Sequence, residues 1–142
     1  RYNGYAGTFG DTLPVSGKYT QKQKDLLNHL RETLRLTKAM LKPGMTGREI
    51  DVPGRKYYEK HGLDRYIVCP FAHSIGLMEA EAPFFGPNGD FELAPGMAVM
   101  VDISFFNHPE LHGARIETGY IITETGCKPM SPKMDAYFMN DL

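Results

Sequence analysis

Tryptophan is absent from the 142 residues, and cysteine occurs only twice, at Cys69 and Cys127. Two cysteines make no disulfide framework, and neither stands in a CxxC or Cys/His zinc spacing. A reducing cytoplasm is therefore the expected compartment. An excess of charge of either sign is missing too. Sixteen basic and seventeen acidic side chains leave a formal net charge of −1, which gives no footprint for nucleic acid or an acidic membrane. No apolar run reaches the roughly 20 residues of a membrane span, and no signal peptide is visible. Internal repeats and low-complexity tracts are also lacking. What remains is an ordinary composition, 42% apolar and 23% charged, sized for one domain. Such a chain buries roughly two-thirds of its unfolded surface.

The pattern divides into a helical part and a strand-rich part. Tyr2 to Val15 is rich in aromatic, small and threonine residues and reads as an extended segment ending at Pro14. Leu27, Leu30, Leu34 and Leu41 then fall at helical spacing, with Pro43-Gly44 as the stop. Within this helix His29 is expected to be structural. Thr46-Gly47-Arg48-Glu49 spells a capping box for a second helix that carries Tyr57 and Tyr58 and ends at Gly62, beside His61. Pro53 leaves two options, a helix kinked at the proline or a main helix that starts at Asp51. Beyond Gly62 the short runs Tyr66–Val68 and Ile75–Leu77 are β-prone. Phe84 to Pro95 reads as a loop, Met97 to Phe105 and Ala114 to Thr123 as strands, and Asn107 to Gly113 as a polar connection. Glu124-Thr125-Gly126 is a turn, and no element is assigned to the tail from Lys128.

Chemistry concentrates in three places in the strand-rich part. His73 heads the run His73-Ser74-Ile75-Gly76-Leu77, with Glu79 and Glu81 just behind it. Asp102 sits among Val99, Met100, Val101 and Ile103, and Glu117 follows Arg115 at i+2, on the same face of its strand. An acid among apolar neighbours needs a cation, a metal or a proton to offset desolvation. Bland readings exist for each residue: a satisfied core histidine, an acid facing solvent, and an ion pair between Arg115 and Glu117. Taken together, one imidazole and two acids on three strands suit a divalent metal or an acid–base site.

The order and spelling of these segments resemble the pita-bread superfamily of creatinase, aminopeptidase P and prolidase, the M24 type. Its GHGIGL, PGM-x(3)-IEPG and G-x-RIED strands correspond here to AHSIGL, PGMAVMVDIS and GARIETGYIITETG. The TLPVSGKYT tract and the Lys42–Thr46 turn fit as well. The resemblance runs from Tyr2 to about Pro129. It implies an α/β (α+β) pita-bread fold, a curved mixed or antiparallel sheet backed by helices and incomplete in this chain. Residues 1–142 are then expected to be the C-terminal portion of a catalytic domain. The expected partners are the N-terminal half of the same protein and a second copy in a homodimer.

By the same resemblance, His73, Asp102 and Glu117 are the catalytic residues and the ligands of a metal, if one is present. Glu79, Glu81, Arg115 and Cys69 are expected to bind substrate. The sequence departs from the family at three further points. Thr8 stands where a GYxSDxTRT-like segment has a metal-binding aspartate, with Asp11 three residues on and pointing the other way. Cys69 and Ala80 stand where the peptidases have histidines. Losing a charged ligand lowers the capacity for cations, so the expectation is no metal or one divalent ion (Mn, Zn, Co or Fe), with a two-metal site disfavoured. The AHSIG spelling is similar to the GHSFG of creatinase. The first functional expectation is therefore a divergent hydrolase cleaving a C–N bond in a small amide or amidine. The alternatives are a Xaa-Pro aminopeptidase or dipeptidase with a reduced metal site, acting on a short peptide, and a non-catalytic binding module.

Overall fold

The computed structural model describes all residues, 1–142. It has three helices, α1 (Gln21–Ala39), α2 (Gly47–Lys60) and α3 (Pro132–Phe138), and four strands, β1 (Ala72–Ser74), β2 (Ala98–His108), β3 (His112–Ile122) and β4 (Cys127–Pro129). The strands form one sheet in the order β1-β2-β3-β4. Every pairing is antiparallel, so the mixed alternative drops out. No helix is long and apolar enough to cross a membrane.

Both long helices start where the sequence signals it. Thr20 caps α1 through the amide of Gln23, whose side chain returns to the Thr20 amide, and Thr46 and Glu49 do the same for α2. The helix α1 ends at Ala39, four residues ahead of Pro43, and Leu41 joins the core from just beyond it. Along α1, Leu27, Leu30 and Leu34 are buried against the sheet. Each such side chain contributes roughly 1.5–3 kcal/mol relative to exposure. The helix α2 runs unbroken from Gly47 through Pro53, so the start at Asp51 is corrected. The capping box fixes the first turn and buried Ile50 and Tyr58 hold the face, which outweighs the one backbone bond the proline lacks. Gly62, at φ +68°, ends the helix in a conformation that suits glycine.

Four other expectations change. Tyr66 lies in a short 3-10 turn, Asp64–Tyr66, and Ile67 and Val68 form no strand. Strand β1 is Ala72–Ser74 rather than Ile75–Leu77, because the pairing with β2 sets His73 opposite Met100 and ends at Ser74. The connection Asn107–Gly113 is a tight hairpin, with His108 paired to His112 and a bulge between Phe106 and His108. The tail folds into β4 and α3, held by Lys38 and the Tyr120 hydroxyl on Asp135 and by Arg31 on the Tyr137 carbonyl.

Period-two alternation splits the sheet into two faces. Val99, Val101, Ile103 and Phe105 of β2, with Ile116, Tyr120 and Ile122 of β3, join the leucines of α1 in the core. The alternate positions, Met100, Asp102 and Ser104 with Arg115, Glu117 and Gly119, face the other way. The segment before α1 is an irregular strap rather than a strand. It turns at Tyr2–Tyr5, donates from the Ala6 amide to the Gly76 carbonyl at 2.7 Å, and then pairs with β3 by two bonds between Gly10 and Glu117.

Candidate active site

Asp102 and Glu117 are direct cross-strand partners in the β2–β3 pairing, and His73 lies one strand away on β1, opposite Met100. This register brings one donor atom from each of His73, Asp102 and Glu117 within 4.8 Å of the others. Glu117 is 1% exposed and Asp102 8%, so both charges are withdrawn from bulk water. The imidazole of His73 is half-buried. Its Nδ1 donates to the Ser74 carbonyl at 3.1 Å, and its Nε2 faces Glu117 Oε1 at 3.3 Å. A carbonyl only accepts, so Nδ1 carries the hydrogen. Nε2 and Oε1 then turn lone pairs toward each other unless a proton or a metal ion lies between them.

Arg115 ties the acids together. Its Nε donates to Asp102 Oδ1 at 2.8 Å and its Nη2 forms an ion pair with Glu117 Oε2 at 3.0 Å, while Glu79 approaches the same Nη2 at 3.5 Å from the exposed rim. From the strap, the Thr8 hydroxyl donates to Glu117 Oε2 at 3.1 Å. Gly10 permits this approach, since a Cβ there would stand 3.2 Å from the Glu117 Cβ. Asp11 turns away and its carboxylate accepts the Thr12 amide at 2.8 Å, near Tyr137 and Arg31.

The electrostatics follow from burial against partners. Desolvation pushes the Asp102 carboxyl above its usual range, and the Arg115 guanidinium offsets this only in part. Burial pulls His73 down, but the Glu117 hydrogen bond, the Ser74 carbonyl and the two acidic charges outweigh it, so the net direction is up. Arg115 is held in its charged form by Asp102, Glu117 and Glu79 against its own burial.

Not every expected residue joins the group. Glu81 folds back on its own turn, accepting from the Met78 amide at 2.9 Å and bridging to Ser74. Cys69 contacts Ser104 Oγ at 3.6 Å rather than the three donors. The hydroxyl of Thr8 takes a place that reading the position as a lost ligand does not reveal. Its signal in the sequence was its place in the GYxSD-like segment.

One nitrogen and two carboxylates, buried and convergent, form a donor set suited to a divalent ion of the Zn, Mn, Co or Fe kind. Each carboxylate keeps an oxygen that Arg115 does not use, Oδ2 of Asp102 and Oε1 of Glu117. The residues fit one such ion.

Comparison with known proteins identifies the family and the fold. The model of metallopeptidase family M24 matches residues 1–124, and the chain belongs to that family. It is 29% identical over 130 residues to a Xaa-Pro dipeptidase of Pyrococcus furiosus, covering 92% of this chain and 37% of that protein. It is 32% identical to an uncharacterised peptidase of Bacillus subtilis, covering 93% and 37%. Its fold superimposes on a Xaa-Pro dipeptidase from Bacillus anthracis with a TM-score of 0.83, at 34% identity over 92% of this chain and 37% of that one. The fold is the pita-bread fold of these hydrolases, in part. The chain spans under two-fifths of the length of the curated relatives it matches.

Proposed function

We propose that this chain carries the C-terminal portion of the active site of a metal-assisted peptidase that cleaves the C–N bond of a short peptide of Xaa-Pro type. The observation that carries the reading is the pair of lone-pair atoms, His73 Nε2 and Glu117 Oε1, 3.3 Å apart, with the Asp102 carboxylate beside them. His73, Asp102 and Glu117 would hold one divalent ion. Such an ion, when bound, polarises the scissile carbonyl and acidifies water. The rest is done by the chain itself. The Ser74 carbonyl fixes the imidazole tautomer, and Arg115 orients both acids. Glu79, exposed at the rim, is suited to meet a substrate ammonium group. His73 is the one imidazole in the group, because Cys69 and Ala80 stand at the other two places. The exposed strap side chains Tyr2, Tyr5, Phe9 and Leu13 support packing against the N-terminal half of the same protein, and a homodimer is compatible with this.

The small amide or amidine reading draws on the same acids as a cation trap, while the peptidase names of the relatives support the peptide. The test is hydrolysis of a Xaa-Pro dipeptide by the full-length protein, before and after chelation. Activity is expected to vanish with the ion and return with Mn²⁺. Hydrolysis that survives chelation, or that acts only on guanidino compounds, overturns the reading.

A further inference from the structure

Two further imidazoles meet on the helical side of the sheet, where α1 and α2 pack together. His29 of α1 and His61, the residue that caps the C-terminus of α2, bring their ring centroids within 4.7 Å. Tyr57 closes the cluster, its ring 4.4 Å from that of His61 and its hydroxyl 2.9 Å from His29 Nδ1. A hydroxyl can accept, so Nδ1 can carry the hydrogen and leave Nε2 of His29 as a bare lone pair. We propose that His29 and His61 form a transition-metal site of their own, a two-imidazole chelate for Zn²⁺ or Ni²⁺ completed by water, which staples α1 to α2. The inference does not depend on an ion at His73.

The surroundings favour an ion. The side chain of His61 is exposed, while its amide is held by the Tyr57 and Tyr58 carbonyls at 3.2 and 3.1 Å. Its ring can therefore turn toward His29 without moving the helix. Burial of His29 lowers its pKa, and the neighbouring His61 adds to this. At neutral pH the His29 imidazole is uncharged, the form that binds a metal. The Tyr57 hydroxyl does for His29 what the Ser74 carbonyl does for His73, holding the ring nitrogen that an ion leaves unused. Asp25 stands one turn before His29 on the same helix face, where its charge favours a cation. Asp25 and His29 line two cavities in common, which give water and ions a way in. His108 lines one of them but is no ligand. Its Nδ1 accepts the Glu110 and Leu111 amides, at 3.3 and 3.2 Å, so its Nε2 carries the hydrogen.

The experiment is equilibrium dialysis of the full-length protein against Zn²⁺ at neutral pH, with the bound metal counted by elemental analysis. The variants are His61→Gln, His29→Gln and Tyr57→Phe, each checked for folding by circular dichroism and thermal melting. Wild type is expected to hold one equivalent more than His61→Gln or His29→Gln, whatever the group at His73 retains. Tyr57→Phe should keep that equivalent but bind it roughly tenfold more weakly, the usual cost of losing a group that orients a ligand. Zn²⁺ should also raise the melting temperature of wild type more than that of His61→Gln. Lowering the pH to 5 should release the extra equivalent, because protons compete for both imidazoles. If His29→Gln does not fold, His61→Gln decides alone, since an exposed ring can be lost without opening the core. Equal equivalents in wild type and His61→Gln overturn the site and reduce the three rings to packing. An ion at His73 is read separately, from the equivalents that His61→Gln retains, so either reading can fail without the other.

Discussion

Strands β2 and β3 carry two buried faces that the same alternation produces and that physics treats in opposite ways. On one face Val101, Ile103, Phe105, Ile116 and Tyr120 are all at most 1% exposed, and burial is itself the stabilising term. On the other, Asp102 and Glu117 are nearly as deeply buried, and there burial is a cost met by Arg115, His73 and Thr8. Equal burial thus has opposite signs one residue apart along a strand. The apolar face holds the fold, and the polar face is tolerated because the fold is held elsewhere.

This contrast can be broken most forcefully from the apolar side. Phe105→Ala is expected to cost about 3–5 kcal/mol of stability by leaving a cavity under α1. Denaturant unfolding of the full-length protein would measure it. Ion affinity of the fraction that stays folded should be unchanged, since Phe105 points away from the site.

A smaller effect is expected from the polar side. Arg115→Met removes the common partner of Asp102 and Glu117, which should cost about 2 kcal/mol in the metal-free protein, discounted because the arginine is partly exposed. Saturating Mn²⁺ should recover most of that loss, because the ion supplies the missing positive charge. Unfolding curves with and without Mn²⁺ test the difference, and a loss that Mn²⁺ leaves untouched would show that Arg115 acts by packing.

The smallest effect is a pH dependence. The His73 pKa is raised in the folded protein, so its interaction with Glu117 contributes fully below the ordinary histidine value of 6.5. That contribution is lost as pH rises through the folded value above it. Metal-free wild type should lose a little stability on going from pH 6 to pH 8, and His73→Asn should flatten the slope. Burial opposes the ion pair at this residue, which keeps the effect small. Melting temperatures across the range would show it.

Strands β2 and β3 were legible in advance as apolar runs in which Asp102 and Glu117 stood out, but the run Met97–Val101 is apolar at every position, so the face that Asp102 takes was settled only by the pairing. Leucine spacing announced α1 and a capping box announced α2, both through side chains close in sequence. Elements that depend on distant contacts were not legible. In α3 only Phe138 is buried, and the helix is held by Lys38, Arg31 and Tyr120 from elsewhere in the chain. The frame of β1 was misjudged because three residues show no period of their own, and pairing with β2 decides it. Thr8 read as a missing charge, but its hydroxyl bond to Glu117 required the strap to be in place. Glu81 looked equal to Glu79 in sequence, and only the turn at Gly76 and Met78 separates them.

The strap also has a consequence in time. Arg115 meets Asp102 across 13 residues of chain, whereas Thr8 meets Glu117 across 109. By the logarithmic cost of closing a loop, the longer contact is dearer by about 2 kcal/mol before any bond repays it. The hairpin can therefore assemble its acids early, and the strap docks late. By the same reasoning it is among the first parts to let go in the folded protein. The Glu117 amide donates to the Gly10 carbonyl at 2.9 Å, so it is sealed only while the strap is down. Its hydrogen-exchange rate is thus a clock for how often the carboxylate beneath is uncovered.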